Sequence, residues 1–124
     1  MSGGARVWYF PDGYLPAKKA GEVLEAHESL MLLNVGGEDA HVVIDIFFSD
    51  REPTKGIKVD VPAERIIALR LDQPADLAGK VIPAQTQYAL RITSDRRVVA
   101  QFGRLDTTQS NLAYYGSDGF HESP

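Results

Sequence analysis

The chain contains no cysteine. That excludes a disulfide framework, a thiolate metal site and a cysteine nucleophile, and it is compatible with a cytoplasmic setting. No run of apolar residues approaches the about 20 that a membrane helix needs. The first residues also lack the basic-then-apolar pattern of a signal peptide, so contact with a membrane would fall to a partner. Basic residues are in deficit, 13 against 17 acidic ones for a formal charge of −4, which argues against a domain built for nucleic acid. Arg96-Arg97 is a small basic patch within that acidic chain. The three histidines, His27, His41 and His121, are scattered, and no serine sits in a Gly-x-Ser-x-Gly elbow, so a nucleophilic triad finds no support. No glycine loop of phosphate-cradling type precedes a helix. Gly36-Gly37 reads instead as a turn.

What is present is enough for one globular domain spanning residues 1–124, with 1–4 and 117–124 as flexible ends. Its length permits roughly two-thirds of the unfolded surface to be buried. The apolar fraction of 44% and charged fraction of 24% are ordinary for such a domain. The most telling stretch is Val98–Gln109, an apolar run with β-branched and aromatic residues that reads as a buried strand. Its end gathers Arg104, Asp106 and Gln109, either as ligand contacts at a rim or as an Arg104–Asp106 ion pair closing the end of a sandwich.

Around it, alternation marks further strands. Arg6–Phe10 carries the only tryptophan, Trp8, and Pro11-Asp12-Gly13 predicts a turn after it. Trp8 reads as a core residue or as a stacking platform, which Tyr9 and Tyr14 could flank. Lys18–Leu33 fits both helical and extended spacing. Gly36-Gly37-Glu38-Asp39 predicts a hairpin connection into Ala40–Ser49, where Val42, Ile44, Ile46 and Phe48 face one way and Val43, Asp45 and Phe47 the other. Asp45 needs a partner, since a buried carboxylate is costly alone. Ile57, Val59 and Val61 mark a strand with one wet face, and Ile67, Leu69 and Leu71 another. A loop from Gln73 to Pro83 holds at most a helical turn near Asp76–Ala78. Tyr88, Leu90 and Ile92 alternate in the next strand, and Ser94-Asp95-Arg96-Arg97 predicts a hairpin back into the central stretch. Asn111–Tyr115 is a candidate last strand, followed by a polar tail. About eight short strands with regular turn signals and no convincing long helix describe an antiparallel β-sandwich or jelly roll.

The chemistry legible in this pattern is thin. His27, Glu28 and His41 match no strong metal-binding spacing. Glu28, Asp45 and Asp106 are available carboxylates for a hydrolase, but no motif fixes two of them across a cleft.

Several segments taken together are more specific. They are Trp8 with Gly13-Tyr14-x-Pro16, His27-Glu28, Leu33-Asn34, Glu38-Asp39-Ala40-His41-Val42, and Phe48-Ser49-Asp50-Arg51-Glu52-Pro53. Val61-Pro62-Ala63 and Gln101 with Arg104-Leu105-Asp106-Thr107 and Gln109 complete the set. On these residues the chain resembles the sensory rhodopsin transducer family. It departs from that pattern at Thr108, where an arginine often stands.

The resemblance implies a β-sandwich similar to carbohydrate-binding modules, assembled as a cyclic homotetramer, without cofactor or catalytic activity. It also implies that Glu22–Val35 is extended, against local helix propensity. Members of the family without a rhodopsin partner are thought to bind sugars or related metabolites. By resemblance, then, Trp8 is a candidate for stacking, and His27, Glu28, Asn34, Arg104, Asp106 and Gln109 are candidates for polar ligand contacts. The alternatives are an adaptor that contacts a membrane photoreceptor or DNA and, less favoured, a hydrolase.

Overall fold

In the computed structural model, the described residues are 3–17, 27–106, 113–117 and 119–122, with the backbone alone described for Asp106 and 113–117. Eight strands form in chain order: β1 (Ala5–Tyr14), β2 (His27–Asn34), β3 (Ala40–Phe48), β4 (Thr54–Val61), β5 (Arg65–Arg70), β6 (Gln87–Asp106), β7 (Ala113–Ser117) and β8 (Phe120–Glu122). One sheet runs β4-β3-β6-β1-β8, and the other joins β5, β2, β6 and β7, with every pairing antiparallel. The fold is therefore the expected all-β sandwich. Its inner faces carry Leu30 and Leu32 of β2, Val42, Ile44 and Ile46 of β3, Leu90 and Ile92 of early β6, and Ala100 and Phe102 of late β6, all buried.

The two sheets share one strand. β6 pairs with β3 through residues 88–94 and with β2 through residues 99–105, so a single 20-residue strand crosses from one sheet to the other. This overturns the hairpin expected at Ser94-Asp95-Arg96-Arg97. A tight reversal there would need residues at positive φ, and none of these four adopts it. The segment instead absorbs a register shift against β1, whose partners pass from Ala5↔Val98 to Val7↔Thr93.

Two further turn signals have a different outcome. Pro11-Asp12-Gly13 lies inside β1, where Phe10↔Leu90 is followed by Gly13↔Tyr88, a bulge rather than a reversal. Proline lacks a ladder N–H and is tolerated at such a bulge. Gly36-Gly37-Glu38-Asp39 does not close a hairpin either, because β2 and β3 belong to different sheets. The short Pro74–Leu77 3-10 helix supplies the expected turn in the long loop. The extended reading of β2 holds for His27–Asn34, whereas residues 22–26 lie outside the described part. Where the sequence suggests a tail, Phe120–Glu122 adds an outer strand to β1.

Asp45 finds the partner it requires. Its carboxylate accepts hydrogen bonds from Arg91 Nη2 on the neighbouring strand at 2.9 Å and from the Gly56 N–H at 2.9 Å. Gly56 sits at a bulge in β4 with φ of 83°, which a residue with a Cβ would adopt at a cost. On the outer face of the β5-β2-β6 sheet, Ile66, Leu33 and Val99 lie in register, beside Ala68, Met31 and Gln101. Ile66 is 63% exposed and Val99 38%, with Met31 and Leu33 half-buried, so this face is apolar and partly exposed among the described residues.

Gly13 is held by packing. A Cβ there would lie 2.4 Å from Cζ of the buried Tyr88 ring. Gly13→Ala should therefore destabilise the fold by about 2 kcal/mol through overpacking. A lower urea midpoint with an unchanged slope would report it; an unchanged midpoint would show that the Tyr88 ring gives way freely.

Candidate functional site

The residues singled out in the sequence do not gather at one place. Glu28 and Asn34 stand at opposite ends of β2, about 20 Å apart along an extended strand. Trp8 lies on a second element, in the middle of β1. His27 opens β2 opposite Leu105, half-buried. Asp106 ends β6 with its side chain outside the described part, and Gln109 lies outside it altogether. The histidines His27, His41 and His121 fall on β2, β3 and β8.

Glu28 is the most constrained polar residue. It is fully buried, yet every partner a carboxylate needs is present. Oε1 accepts hydrogen bonds from the Tyr88 hydroxyl at 2.6 Å and the Tyr14 N–H at 2.9 Å, while Oε2 takes Arg104 Nε at 2.5 Å. Arg104 Nη2 reaches the Asp12 carbonyl at 3.2 Å as well. The β1 bulge and Gly13 make this possible. They bring the Tyr14 N–H and the Asp12 carbonyl onto the cluster and leave room for the Tyr88 ring. Burial pushes the Glu28 carboxyl above its ordinary value, against the opposing pull of Tyr88, Arg104 and the Tyr14 N–H. Burial and the neighbouring carboxylate likewise raise the Tyr88 phenol, which stays a donor. The sequence flagged Glu28 and Arg104 by resemblance. It gave no sign of Tyr88, 60 residues away, because the contact depends on how β2 in one sheet faces early β6 in the other.

Asn34 is buried and internally engaged. Its amide nitrogen donates to the carbonyls of Glu38 at 2.8 Å and Val61 at 3.1 Å, and its oxygen accepts from the Gly36 N–H at 2.9 Å. It thereby shapes the connection between the two sheets.

Trp8 is half-buried and packs against the core. Its indole N–H donates to the Val98 carbonyl at 3.0 Å, and its ring stacks along Phe10 with centroids 6.4 Å apart. One edge stays open beside His121, whose ring lies 5.0 Å away at 44°. Together with Val99, Ala100, Gln101 and Gly119 these two rings line a hollow of about 520 Å3. It sits where β6 has β2 on one side, while β7 pairs only from Phe102 onward. Tyr9, the next residue on β1, faces the other side of the strand and does not flank this hollow. His121 and Gln101 are exposed, so their polar atoms are accessible. The sequence reading noted His121 without assigning it to a site, because nothing in a polar terminal segment signals a strand.

The described strands define the class of antiparallel β-sandwich domains, an architecture that hosts many unrelated functions. Comparison with known proteins narrows this. A family model described as Anabaena sensory rhodopsin transducer matches residues 3–121, and the chain belongs to that family. Among solved structures, a Thermotoga maritima protein designated 1070 is similar, at 35% identity and a TM-score of 0.83 with 97% of each chain covered. The Anabaena sensory rhodopsin transducer itself is similar at 37% identity and a TM-score of 0.72, over 82% of this chain and 96% of that one. No curated protein matches the chain.

Removing one partner from the buried cluster should cost far more than neutralising it. Arg104→Met leaves the Glu28 carboxyl buried without its cation and should cost about 3 kcal/mol or more at neutral pH. The loss should shrink in acid, where the carboxyl is protonated. The folded chain holds the Glu28 proton to higher pH than the unfolded chain does, whose ordinary value is 4.5. This contribution is therefore fully present below that value and is lost as pH rises through the folded one. Glu28→Gln should flatten that slope, as read by denaturation midpoints from pH 4 to 8; an unaltered slope would mean that Glu28 titrates normally.

Proposed function

We propose that the chain is a non-catalytic transducer-type domain that binds a small molecule, a sugar or related metabolite, and works in the cytoplasm as a homotetramer in sensing or signalling. The observation that carries this reading is the Trp8–His121 hollow. It combines an aromatic edge with the accessible side chains of His121 and Gln101. A sugar ring presents C–H faces suited to an aromatic surface and hydroxyls suited to such polar groups. Catalysis by paired carboxylates is disfavoured, since Glu28 is tied to Arg104 and Asp45 to Arg91. Among the candidates from the sequence, Trp8 is the one this reading places in contact with ligand. Glu28, Asn34 and Arg104 become the frame that positions the strands, and His27, Asp106 and Gln109 stay candidates for further contacts.

Trp8 is the only tryptophan, so its emission is a direct probe. A panel of neutral sugars and sugar acids should contain a compound that shifts this emission saturably and raises the melting temperature by mass action. Gln101→Ala and His121→Ala should each weaken that response. A panel with no response in either measurement would remove the binding reading.

A second reading has a specific support of its own. One of the similar structures is named as a rhodopsin transducer, and this chain carries the partly exposed apolar face around Ile66, Leu33 and Val99. That face suits burial between copies of the chain or against a membrane receptor. Light scattering should give a tetramer, with Ile66→Glu shifting it towards smaller species. A monomeric parent would leave the face free and favour the adaptor.

A further inference from the structure

A second hollow, on other residues, has the opposite character. Between the pairs Ala5↔Val98 and Val7↔Thr93, β1 advances two residues and β6 advances five. The unmatched residues of β6 bulge outward and expose Arg96 and Arg97. The bulge stands beside Arg6 of β1 and beside the Gly36-Gly37-Glu38 connection, and the side chains and backbone there line a hollow of about 530 Å3. Its wall is tied by hydrogen bonds within the chain. The buried Asn34 amide holds Gly36 and Glu38, and the Glu64 N–H donates to the Gly36 carbonyl at 3.2 Å. Gly37 leaves that wall open, because even a Cβ there would meet nothing within 4 Å.

The charge in this hollow runs against that of the chain. Among the described lining residues three arginines, Arg6, Arg96 and Arg97, stand with one carboxylate, Glu38, in a protein of net charge −4. Among the described residues no group pairs with the Arg6 guanidinium. Arg96 is held by Glu38, an exposed ion pair of the kind that contributes little and exchanges readily.

We propose that this hollow binds the phosphate group of a small phosphorylated metabolite, with Glu38 occupying Arg96 until the anion displaces it. Guanidinium forks match the tetrahedral oxygens of a phosphate dianion and can engage it from more than one side, and the carboxylate among the described lining residues is held by Arg96. The bulge in β6 thus has a second consequence besides changing sheets, for it delivers two adjacent arginines to the residue that β1 places opposite.

The test is calorimetric titration of the full chain at low ionic strength with inorganic phosphate, pyrophosphate and ribose 5-phosphate, with citrate as the carboxylate arm. Saturable binding of the phosphates is expected, and Arg6→Gln and Arg97→Gln should each weaken it about tenfold, the equivalent of one charge-assisted hydrogen bond. Glu38→Gln should tighten it by freeing Arg96. Glu52→Gln, which alters net charge equally at the exposed β3–β4 bend, should leave it unchanged, as should Gln101→Ala in the other hollow. Absence of saturable binding would overturn the proposal. So would binding indifferent to Arg6 and Arg97 in variants that keep the parent melting temperature. Equal strengthening by Glu38→Gln and Glu52→Gln would reduce the effect to general charge and also overturn it. Citrate binding as tightly as pyrophosphate would overturn the assignment to phosphate.

Discussion

A carboxylate removed from water must be matched by donors, and in this protein that requirement at Glu28 organises one end of the sandwich. Its partners come from β1 through the Tyr14 N–H, from early β6 through Tyr88 and from late β6 through Arg104. Because early β6 lies in one sheet and late β6 in the other, the cluster ties both sheets to β2 at a single point. The bulge at Pro11-Asp12 and the missing side chain of Gly13 are the geometric conditions for that tie. Such a network is costly when incomplete and restrictive when complete, which makes it a specifier of strand register more than a source of net stability.

The same logic recurs at other irregular stretches of backbone. Asp45 inside the first sheet is satisfied by Arg91 and by the backbone at the Gly56 bulge. Asn34 completes the hydrogen bonding of the connection that leaves β2 for β3. At each place a polar side chain makes an irregular piece of backbone affordable. Several of the polar residues that catch the eye in the sequence are therefore committed to the frame.

The proposed binding readings draw on side chains nearer the surface. Trp8 is an intermediate case, anchored through its indole N–H yet open along one edge beside His121. The arginines of the β6 bulge are exposed, and the outer face of the β5-β2-β6 sheet presents Ile66 and Val99 at the surface. Membership of the sensory rhodopsin transducer family accords with a domain that works through its surface.

The sequence by itself determined the fold class and most of the strands. Period-two alternation in residues such as Val42, Ile44 and Ile46 depends only on local geometry and on burial of one face. It also determined that Asp45 needs a partner, because the cost of a buried charge does not depend on the fold. It misplaced three reversals. Pro-Asp-Gly, Gly-Gly-Glu-Asp and Ser-Asp-Arg-Arg carry turn-like composition, but whether such a segment turns, bulges or crosses between sheets depends on what the neighbouring strands pair with. Only the tertiary structure decided that β6 runs unbroken through both sheets, that Tyr88 completes the Glu28 cluster, and that His121 meets Trp8. Each of these joins residues distant in the chain, and such contacts are set by strand order and register, which alternation along one strand does not encode.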